Sequence, residues 1–276
     1  MPKQPTAPPR QPVAAGRFYD DDPAVLRRTV AEYLALAAPR STVPTILAMA
    51  PHAGYVFSGP VAGRTLGQAN LADTLLLLGP NHTGRGARLA VWDGGVWDLP
   101  GGAVPVDADL ARGFLAAAGA LTADRAAHLD EHSLEVLLPF LREASPGCRI
   151  VPVAVAEPDP AVLFDAARSM AGVIRGRTAP VSIVVSSDMS HYVSHETAKR
   201  LDSLALSRVL ALDPEGLFRV VREAGITMCG VLPMVLGLAM ARELGATQAR
   251  LAAYATSAEA SGDYGQVVGY AGVLVS

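Results

Sequence analysis

Three histidines follow apolar runs of strand length in this 276-residue sequence. His52 follows "ILAMA", His82 follows "LLLL", and His191 comes after "SIVV", in the same short segment as Asp188. A single histidine at a strand end is more often structural or exposed than functional. Ligands in open α/β sheets, however, collect outside the carboxyl ends of the strands. If the three strands are neighbours, the imidazoles converge on one crevice, and the sequence predicts a metal or acid/base site there.

A cysteine is the next candidate for this site. Cys229 precedes a predicted helix that begins near Gly230, so the helix dipole and free backbone N–H groups favour its thiolate. A thiolate binds metal or attacks a substrate, whereas the competing interpretation is a buried apolar cysteine. Cys148, at the edge of a predicted strand with no histidine or aspartate nearby in sequence, fits that second interpretation, and we predict that it is structural.

The segment "DEHSLEVLLPFL" places Glu131, His132 and Glu135 at the start of a predicted amphipathic helix. Helix capping is an alternative explanation for Ser133 and Glu135. The segment is not an HExxH zinc helix, because Val136 occupies the place of the second histidine. A histidine flanked by carboxylates suits an indirect role, in which a carboxylate fixes the tautomer of the ring.

The candidate residues lie at the ends of predicted strands and helices. Continuous apolar runs predict the strands, at residues 45–50, 74–78, 150–155, 181–185 and 267–275. The segments between these strands have apolar residues at helical spacing. The pattern is clear after Pro23, which an aspartate precedes as a helix cap. Unbroken apolar strands between helices predict one α/β domain, with a mostly parallel sheet covered by helices on both faces. This domain is expected to span residues 13–276, after a disordered tail over residues 1–12 that holds five prolines.

Composition narrows the class of protein. Half of the residues are hydrophobic and the formal net charge is only −3, which is typical of a globular protein with a sizeable core. No cluster of Lys and Arg stands out, so nucleic acid is not an expected partner. No apolar stretch is long enough to span a bilayer, and the proline-rich start lacks the apolar region of a signal peptide. These features predict a cytoplasmic location, and two distant cysteines do not form a disulfide framework.

Several short motifs occur together in a characteristic order. They are "AGRFYDDDP", "PHAGYVFSGPVA", "LLLLGPNHTG", "DEHSLEVLLPFL", "RIVPVAV", "VVSSDMSHY", "TMCG" and "YATSAEASGDYGQVVGYAG". Over nearly the whole chain after the proline-rich tail, the sequence resembles the Memo family, specifically its prokaryotic branch, AmmeMemoRadiSam system protein B. The resemblance implies the fold of the class III extradiol dioxygenase catalytic subunits, in which two histidines and a carboxylate hold non-haem Fe(II).

The resemblance also implies a ligand set. The metal ligands of the Memo family correspond to His52, His82 and Cys229, and the implied metal is iron or copper. Zinc is also compatible with imidazole and thiolate ligands. The pocket histidine of the family corresponds to His191, with Asp188 close by.

Further expectations concern the rim of the pocket and its partners. Phe18 stands where an aromatic residue of the family lines the pocket. The family usually has Thr-Pro-Leu-Gly after its second histidine, whereas residues 99–102 read Leu-Pro-Gly-Gly here, so this part of the rim supports no inference about substrate. The name of the branch implies a functional partnership with an AMMECR1-like protein and a radical SAM protein.

Three hypotheses of function follow. In the first, the protein is a cytoplasmic metal-dependent redox protein, in which the implied ligands bind iron or copper. His191 transfers protons, and Asp188 or His132 modulates the proton transfer by His191. In the second, the same pocket binds a peptide, a small molecule or a protein partner without turnover. In the third, the protein is a hydrolase with Cys229 as nucleophile and His191 as base.

Overall fold

Helices and strands alternate along residues 8–276, the part of the chain that the computed structural model describes. The helices are α1 Pro23–Leu34, α2 Tyr55–Gln68, α3 Ala108–Ala117, α4 Ala126–Leu129, α5 Leu138–Ala144, α6 Pro160–Arg175, α7 His195–Leu210, α8 Pro214–Glu223, α9 Val231–Glu243 and α10 Ala258–Ser261, and a 3₁₀-helix covers Glu135–Leu137. The strands are β1 Leu47–Ala50, β2 Thr74–Pro80, β3 Leu89–Val91, β4 Val96–Trp97, β5 Val104–Pro105, β6 Thr122–Ala123, β7 Arg149–Val155, β8 Val181–Ser186, β9 His191–Val193, β10 Ala249–Thr256 and β11 Val267–Val275.

One large sheet forms the centre of the domain. Its strand order is β10-β11-β1-β8-β2-β7-β3-β6, and β9 pairs with β11 off this path. The central strands β1, β8, β2 and β7 run parallel to one another. Strand β11 runs antiparallel to β1 and β10, and β3 runs antiparallel to β7. The predicted α/β class with a mostly parallel sheet is confirmed, with antiparallel pairs added on both sides of the parallel centre.

Helices cover both faces of this sheet, as predicted. Alternate residues of β2 point to opposite faces, so Leu76 and Leu78 belong to one core cluster and Leu75 and Leu77 to the other. Helices α3, α6, α7, α8 and α9 pack on the first face, and α1, α2 and α5 pack on the second. Within the described residues, each helix is too short or too polar to cross a bilayer.

The predicted elements form where the local sequence favours them. All five predicted strands are present as β1, β2, β7, β8 and β11. Helix α1 begins at Pro23, and the Asp22 carboxylate accepts hydrogen bonds from the N–H groups of Ala24 and Val25. The sequence did not predict β3 to β6, β9 and β10, because five of them are only two or three residues long and β10 is mostly half-buried or exposed.

The amino-terminal boundary differs from the expectation. Residues 1–7 of the predicted tail lie outside the described residues. Arg10, also assigned to that tail, is 1% exposed, and its backbone N–H donates to the carbonyl of Val96 while its carbonyl accepts from Asp98. The prediction of a tail up to residue 12 is therefore wrong at Arg10. A lone arginine among prolines carries no periodic signal, and its partners lie far away in the sequence.

Candidate metal centre

Three histidines meet at the carboxyl edge of the central strands. His52 follows β1 and His82 follows β2, and both strands flank β8. His132 joins them from the turn before the 3₁₀-helix. Each ring offers one nitrogen, and these three nitrogens lie within 4.8 Å of one another. The ring centroids are 5.3 Å apart for His52 and His82, 5.5 Å for His52 and His132, and 4.9 Å for His82 and His132. Such a group of imidazoles could hold a metal ion.

The position of His132 corrects the sequence interpretation. The sequence predicts that Glu131, His132 and Glu135 lie at the start of a helix and that His132 has an indirect role, but helical structure begins only at Glu135. Residues before it form a turn that directs the ring of His132 into the cluster. Capping also fails as an explanation, because the hydroxyl of Ser133 donates to the carbonyl of Pro80 and the carboxylate of Glu135 binds the amino-terminal segment.

A hydrogen-bond relay fixes the tautomer of His52. The hydroxyl of Ser186 donates to the carbonyl of Ser133, 2.6 Å away, and lies 2.7 Å from Nδ1 of His52. Because the Ser186 hydroxyl donates its hydrogen to a carbonyl, its oxygen must accept a hydrogen bond from Nδ1–H of His52. The other ring nitrogen, Nε2, is then left with a free lone pair, which is the form that binds metal.

A carboxylate fixes His82 in the same way. Oε1 of Glu131 lies 2.9 Å from Nδ1 of His82, and Oε2 accepts from the backbone N–H of the same residue. Ser133 donates its backbone N–H to this carboxylate as well. Glu131 was expected to fix the tautomer of a neighbouring histidine. In the structure it fixes His82 instead of His132, whose Nδ1 is 3.5 Å from Oε1.

Burial sets the charge of two of these rings. Burial, reinforced by the neighbouring His82, lowers the pKa of His52 to about 3. Burial and His52 together lower the pKa of His132 to about 4. Burial also opposes protonation of His82, but the hydrogen bond and the charge of Glu131 outweigh it and raise the pKa of His82. His52 and His132 are therefore neutral at physiological pH, which is the state required of a metal ligand.

Cys229 lies next to His52, outside the group of three nitrogens. Its Sγ is 3.4 Å from Nε2 of His52 and accepts a hydrogen bond from the backbone N–H of Asp188. The cysteine directly precedes Gly230, the N-cap of α9, as predicted. Without a metal ion, burial and the charge of Asp188 raise the pKa of the thiol, so the helix dipole does not by itself produce a thiolate. This protonated thiol argues against a metal-free cysteine nucleophile.

Asp188 and His191 are placed differently from the expectation that one orients the other. The buried carboxylate of Asp188 accepts from the backbone N–H of His52, at 2.8 Å, and so holds the loop that carries this histidine. Burial raises the pKa of Asp188. Nδ1 of His191 instead lies 3.0 Å from the carbonyl of Thr227, a contact that requires an Nδ1 proton and leaves Nε2 free in the neutral ring.

An aromatic ring and a cavity adjoin His132. Phe18 stacks on His132 with ring centroids 4.4 Å apart, in agreement with the pocket position implied by the resemblance. A cavity of about 290 Å³ beside this pair is lined by Val13, Arg17, Phe18, Asp130 and His132. The unusual loop at residues 99–102 does not line this cavity, and Arg142 of α5 donates to its carbonyls at Pro100 and Gly102.

Two further residues complete the account of the predicted and missed side chains. Cys148 is 2% exposed within the core that includes α1, α2 and α5, and burial raises the pKa of its thiol to about 11, as suits a structural role. Ser186 is the partner of His52 that sequence reasoning missed. A hydroxyl at the end of a strand, two residues before Asp188, was the only available signal.

Fold and side chains together define an α/β protein with a histidine cluster at the carboxyl edge of its parallel strands. Residues 10–274 match the family model described as Memo-like protein. The chain therefore belongs to the Memo family, as the sequence motifs indicated.

Curated relatives support the same assignment. The chain is 36% identical to a MEMO1 family protein of Methanothermobacter thermautotrophicus over 95% of this chain and 98% of the relative. It is 38% identical to a MEMO1 family protein of Aquifex aeolicus, over 96% of this chain and 98% of that protein. Among solved structures, an uncharacterized protein of Escherichia coli K12 has a similar fold, with a TM-score of 0.53 and 14% identity, covering 83% of this chain and 99% of the other.

Proposed function

We propose that this Memo-family chain is a metal-binding redox protein, in which His52, His82, His132 and Cys229 hold an iron or copper ion. The observation that carries the proposal is the histidine cluster, whose three ring nitrogens lie within 4.8 Å of one another. In His52 and His82 the nitrogen turned away from the cluster is held by a hydrogen-bond partner. Such partners orient metal-binding histidines and fix their tautomers.

The donor set fits a transition metal. In a tetrahedral site, a sulfur lies about 2.3 Å from the metal ion and a nitrogen about 2.0 to 2.1 Å from it. The two ligand atoms are then about 3.5 Å from each other. The observed 3.4 Å between Sγ of Cys229 and Nε2 of His52 matches that separation. Imidazole suits iron, copper and zinc, and a thiolate favours Cu(I), zinc or iron. Metal binding would displace the thiol proton that the metal-free site retains.

The surrounding residues have separate roles in this proposal. A bound iron or copper ion would supply redox chemistry at the cluster. His191 exchanges a proton at Nε2, because its Nδ1 faces the carbonyl of Thr227. Asp188 holds the His52 loop through its backbone N–H, and Phe18 shields one face of His132 from water.

Membership of the Memo family also motivates proposals about partners and location. An AMMECR1-like protein and a radical SAM protein are the proposed partners, and the cytoplasm is the proposed location. A small molecule or peptide is the proposed ligand of the cavity next to His132. Family resemblance supports the partners, and composition supports the location.

Metal analysis after anaerobic purification tests the proposed site. We expect His52→Ala and His82→Ala to purify without iron or copper. Loss of a residue that only orients a metal ligand lowers metal affinity by roughly 10- to 100-fold. His132→Ala and Cys229→Ser should each lower it by more than that. His191→Ala should keep the wild-type metal content, while metal-dependent oxygen uptake with a chemical reductant falls by roughly 10² to 10⁴.

Cys148→Ala is the matched control, because this second cysteine is buried away from the cluster in the core. It should retain wild-type metal content. Wild-type protein that binds neither iron nor copper under anaerobic conditions would refute the proposal. If His191→Ala purifies without metal, His191 is itself a metal ligand and its proposed role in proton transfer is wrong.

A further inference from the structure

A buried arginine connects the amino-terminal segment to the turn that carries His132. Nε of Arg10 donates to the carbonyl of His128 at 2.9 Å, and a terminal nitrogen donates to the carbonyl of Glu131. The other terminal nitrogen pairs with the carboxylate of Glu135 at 2.6 Å. The guanidinium also stacks over Trp97, 4.2 Å from the ring centroid. Arg10 thus binds two backbone carbonyls before His132 and the side chain of Glu135 after it.

Glu135 holds the same segment from the other end. Its carboxylate accepts from the backbone N–H groups of Val13 and Ala14 and from the hydroxyl of Tyr19, at 2.6 to 3.1 Å. Neither side chain of the Arg10–Glu135 pair is exposed to solvent. We call residues 10–19 the amino-terminal strap.

The strap reaches a second loop of the site. The carbonyl of Phe18 accepts from the backbone N–H of Tyr55, the first residue of α2 and three residues after His52. The ring of Phe18 stacks on His132. One short segment therefore contacts two of the three loops that supply histidines to the cluster.

From these contacts we propose that Arg10 and Glu135 are positioning residues of the metal centre, which hold the His132 turn at the distance from His52 that a shared ion requires. The proposal rests on the proposed function. Its physical basis is geometric: the planar fork of an arginine bonds two carbonyls and a carboxylate at once, and a lysine cannot reproduce this arrangement. Pre-oriented ligands lose less freedom when the ion binds.

The decisive variants are Arg10→Lys, which keeps the charge, and Glu135→Gln, which keeps the size of the side chain. Metal-free protein is titrated with Co²⁺, whose visible absorption reports the ligand geometry. We expect each variant to bind Co²⁺ roughly 10- to 100-fold more weakly than wild type, with an altered visible spectrum. Arg40→Lys is the control, because Nε of Arg40 donates to the carbonyl of Ala69 just beyond the opposite end of α2.

A second readout needs no metal. In the metal-free protein, the imidazole NMR signals of His132 should shift in Arg10→Lys and stay unchanged in Arg40→Lys. If Arg10→Lys matches wild type in Co²⁺ affinity, in visible spectrum and in the His132 signals, the inference is wrong. If wild-type protein fails to bind Co²⁺ while Arg10→Lys still shifts the His132 signals, the proposed metal site is wrong, and Arg10 positions the His132 turn without a metal role.

A milder variant covers the case in which both substitutions prevent folding. Tyr19→Phe removes one donor to Glu135 and keeps the ion pair with Arg10. It should fold, and it should show a smaller loss of Co²⁺ affinity with a shift of the His132 signals. If Tyr19→Phe folds and matches wild type in both measurements, the strap does not position the site.

Discussion

At the scale of single residues, the candidate centre depends on the atoms that hold the nitrogens facing away from it. His52 is held by Ser186, and His82 by Glu131. Neither partner would touch a bound ion, yet each decides which ring nitrogen is free to bind it. The hydroxyl of Ser186 does so only because its own proton is taken by the carbonyl of Ser133.

Ser186→Ala should weaken metal binding without emptying the site. The variant loses the acceptor for Nδ1–H of His52, so the ring is free to change tautomer, and we expect roughly 10- to 100-fold lower affinity in a competition titration. Ser182→Ala is the matched control: this buried serine lies on the same strand and donates to the carbonyl of Thr45, at the other end of the strand. Equal affinities for the two variants would contradict the role assigned to Ser186.

At the scale of elements, the loop of His52 depends on how α2 packs against α1. Helix α2 starts three residues after His52, and its Gly59 and Gly63 face Tyr33 of α1. A Cβ atom at Gly63 would stand 2.4 Å from the carbonyl oxygen of Tyr33, which is backbone and cannot swing away. The close approach of the two helices therefore requires glycine at this position.

Gly63→Ala should destabilise the protein, although alanine is the better helix former. We expect the free energy of unfolding to fall by roughly 1 to 3 kcal/mol, as is usual for overpacking, measured by urea denaturation. Gly172→Ala in α6 is the control, because the nearest atom to its added Cβ is the end of a flexible arginine side chain at 4.0 Å. That variant should be neutral or gain up to about 1 kcal/mol. Equal or greater stability of Gly63→Ala would show that α1 and α2 tolerate a wider spacing.

At the scale of the whole molecule, buried neutral histidines make stability depend on pH. His128 is fully buried, and its Nε2 lies 3.0 Å from the carbonyl of Ala90. Burial lowers the pKa of His128 to about 4, against about 6.5 in an unfolded chain. Between these values the unfolded chain binds more protons than the folded one, so stability falls as the pH falls from about 6.5 toward 4.

His128→Gln should flatten that dependence in the metal-free protein. The glutamine amide can still donate to the carbonyl of Ala90, but it cannot take up a proton. A pKa difference of about 2.5 corresponds to roughly 3 kcal/mol. Between pH 7 and pH 4 the free energy of unfolding should therefore fall by up to about 3 kcal/mol less in the variant than in wild type. Urea denaturation at each pH measures this difference. An unchanged slope would mean that His128 takes up its proton without unfolding.

Much of the fold could be predicted from local sequence. Apolar runs located β1, β2, β7, β8 and β11, and the aspartate cap with Pro23 located α1. A run of buried residues specifies a strand but not its direction, so the antiparallel pairing of β11 could not be read from it. Short strands such as β4 carry too few residues for any periodic pattern.

The sequence by itself determined that His52 and His82 each follow an apolar strand and that Cys229 precedes a helix, because strand ends and helix starts are encoded by nearby residues. Only the tertiary structure decided that His132 faces the cluster, that Glu131 binds His82, and that Arg10 belongs to the domain. These contacts join residues as much as 125 positions apart, as in the pair of Arg10 and Glu135. No local pattern encodes them, because they arise only when the packed sheet brings separate loops to one edge.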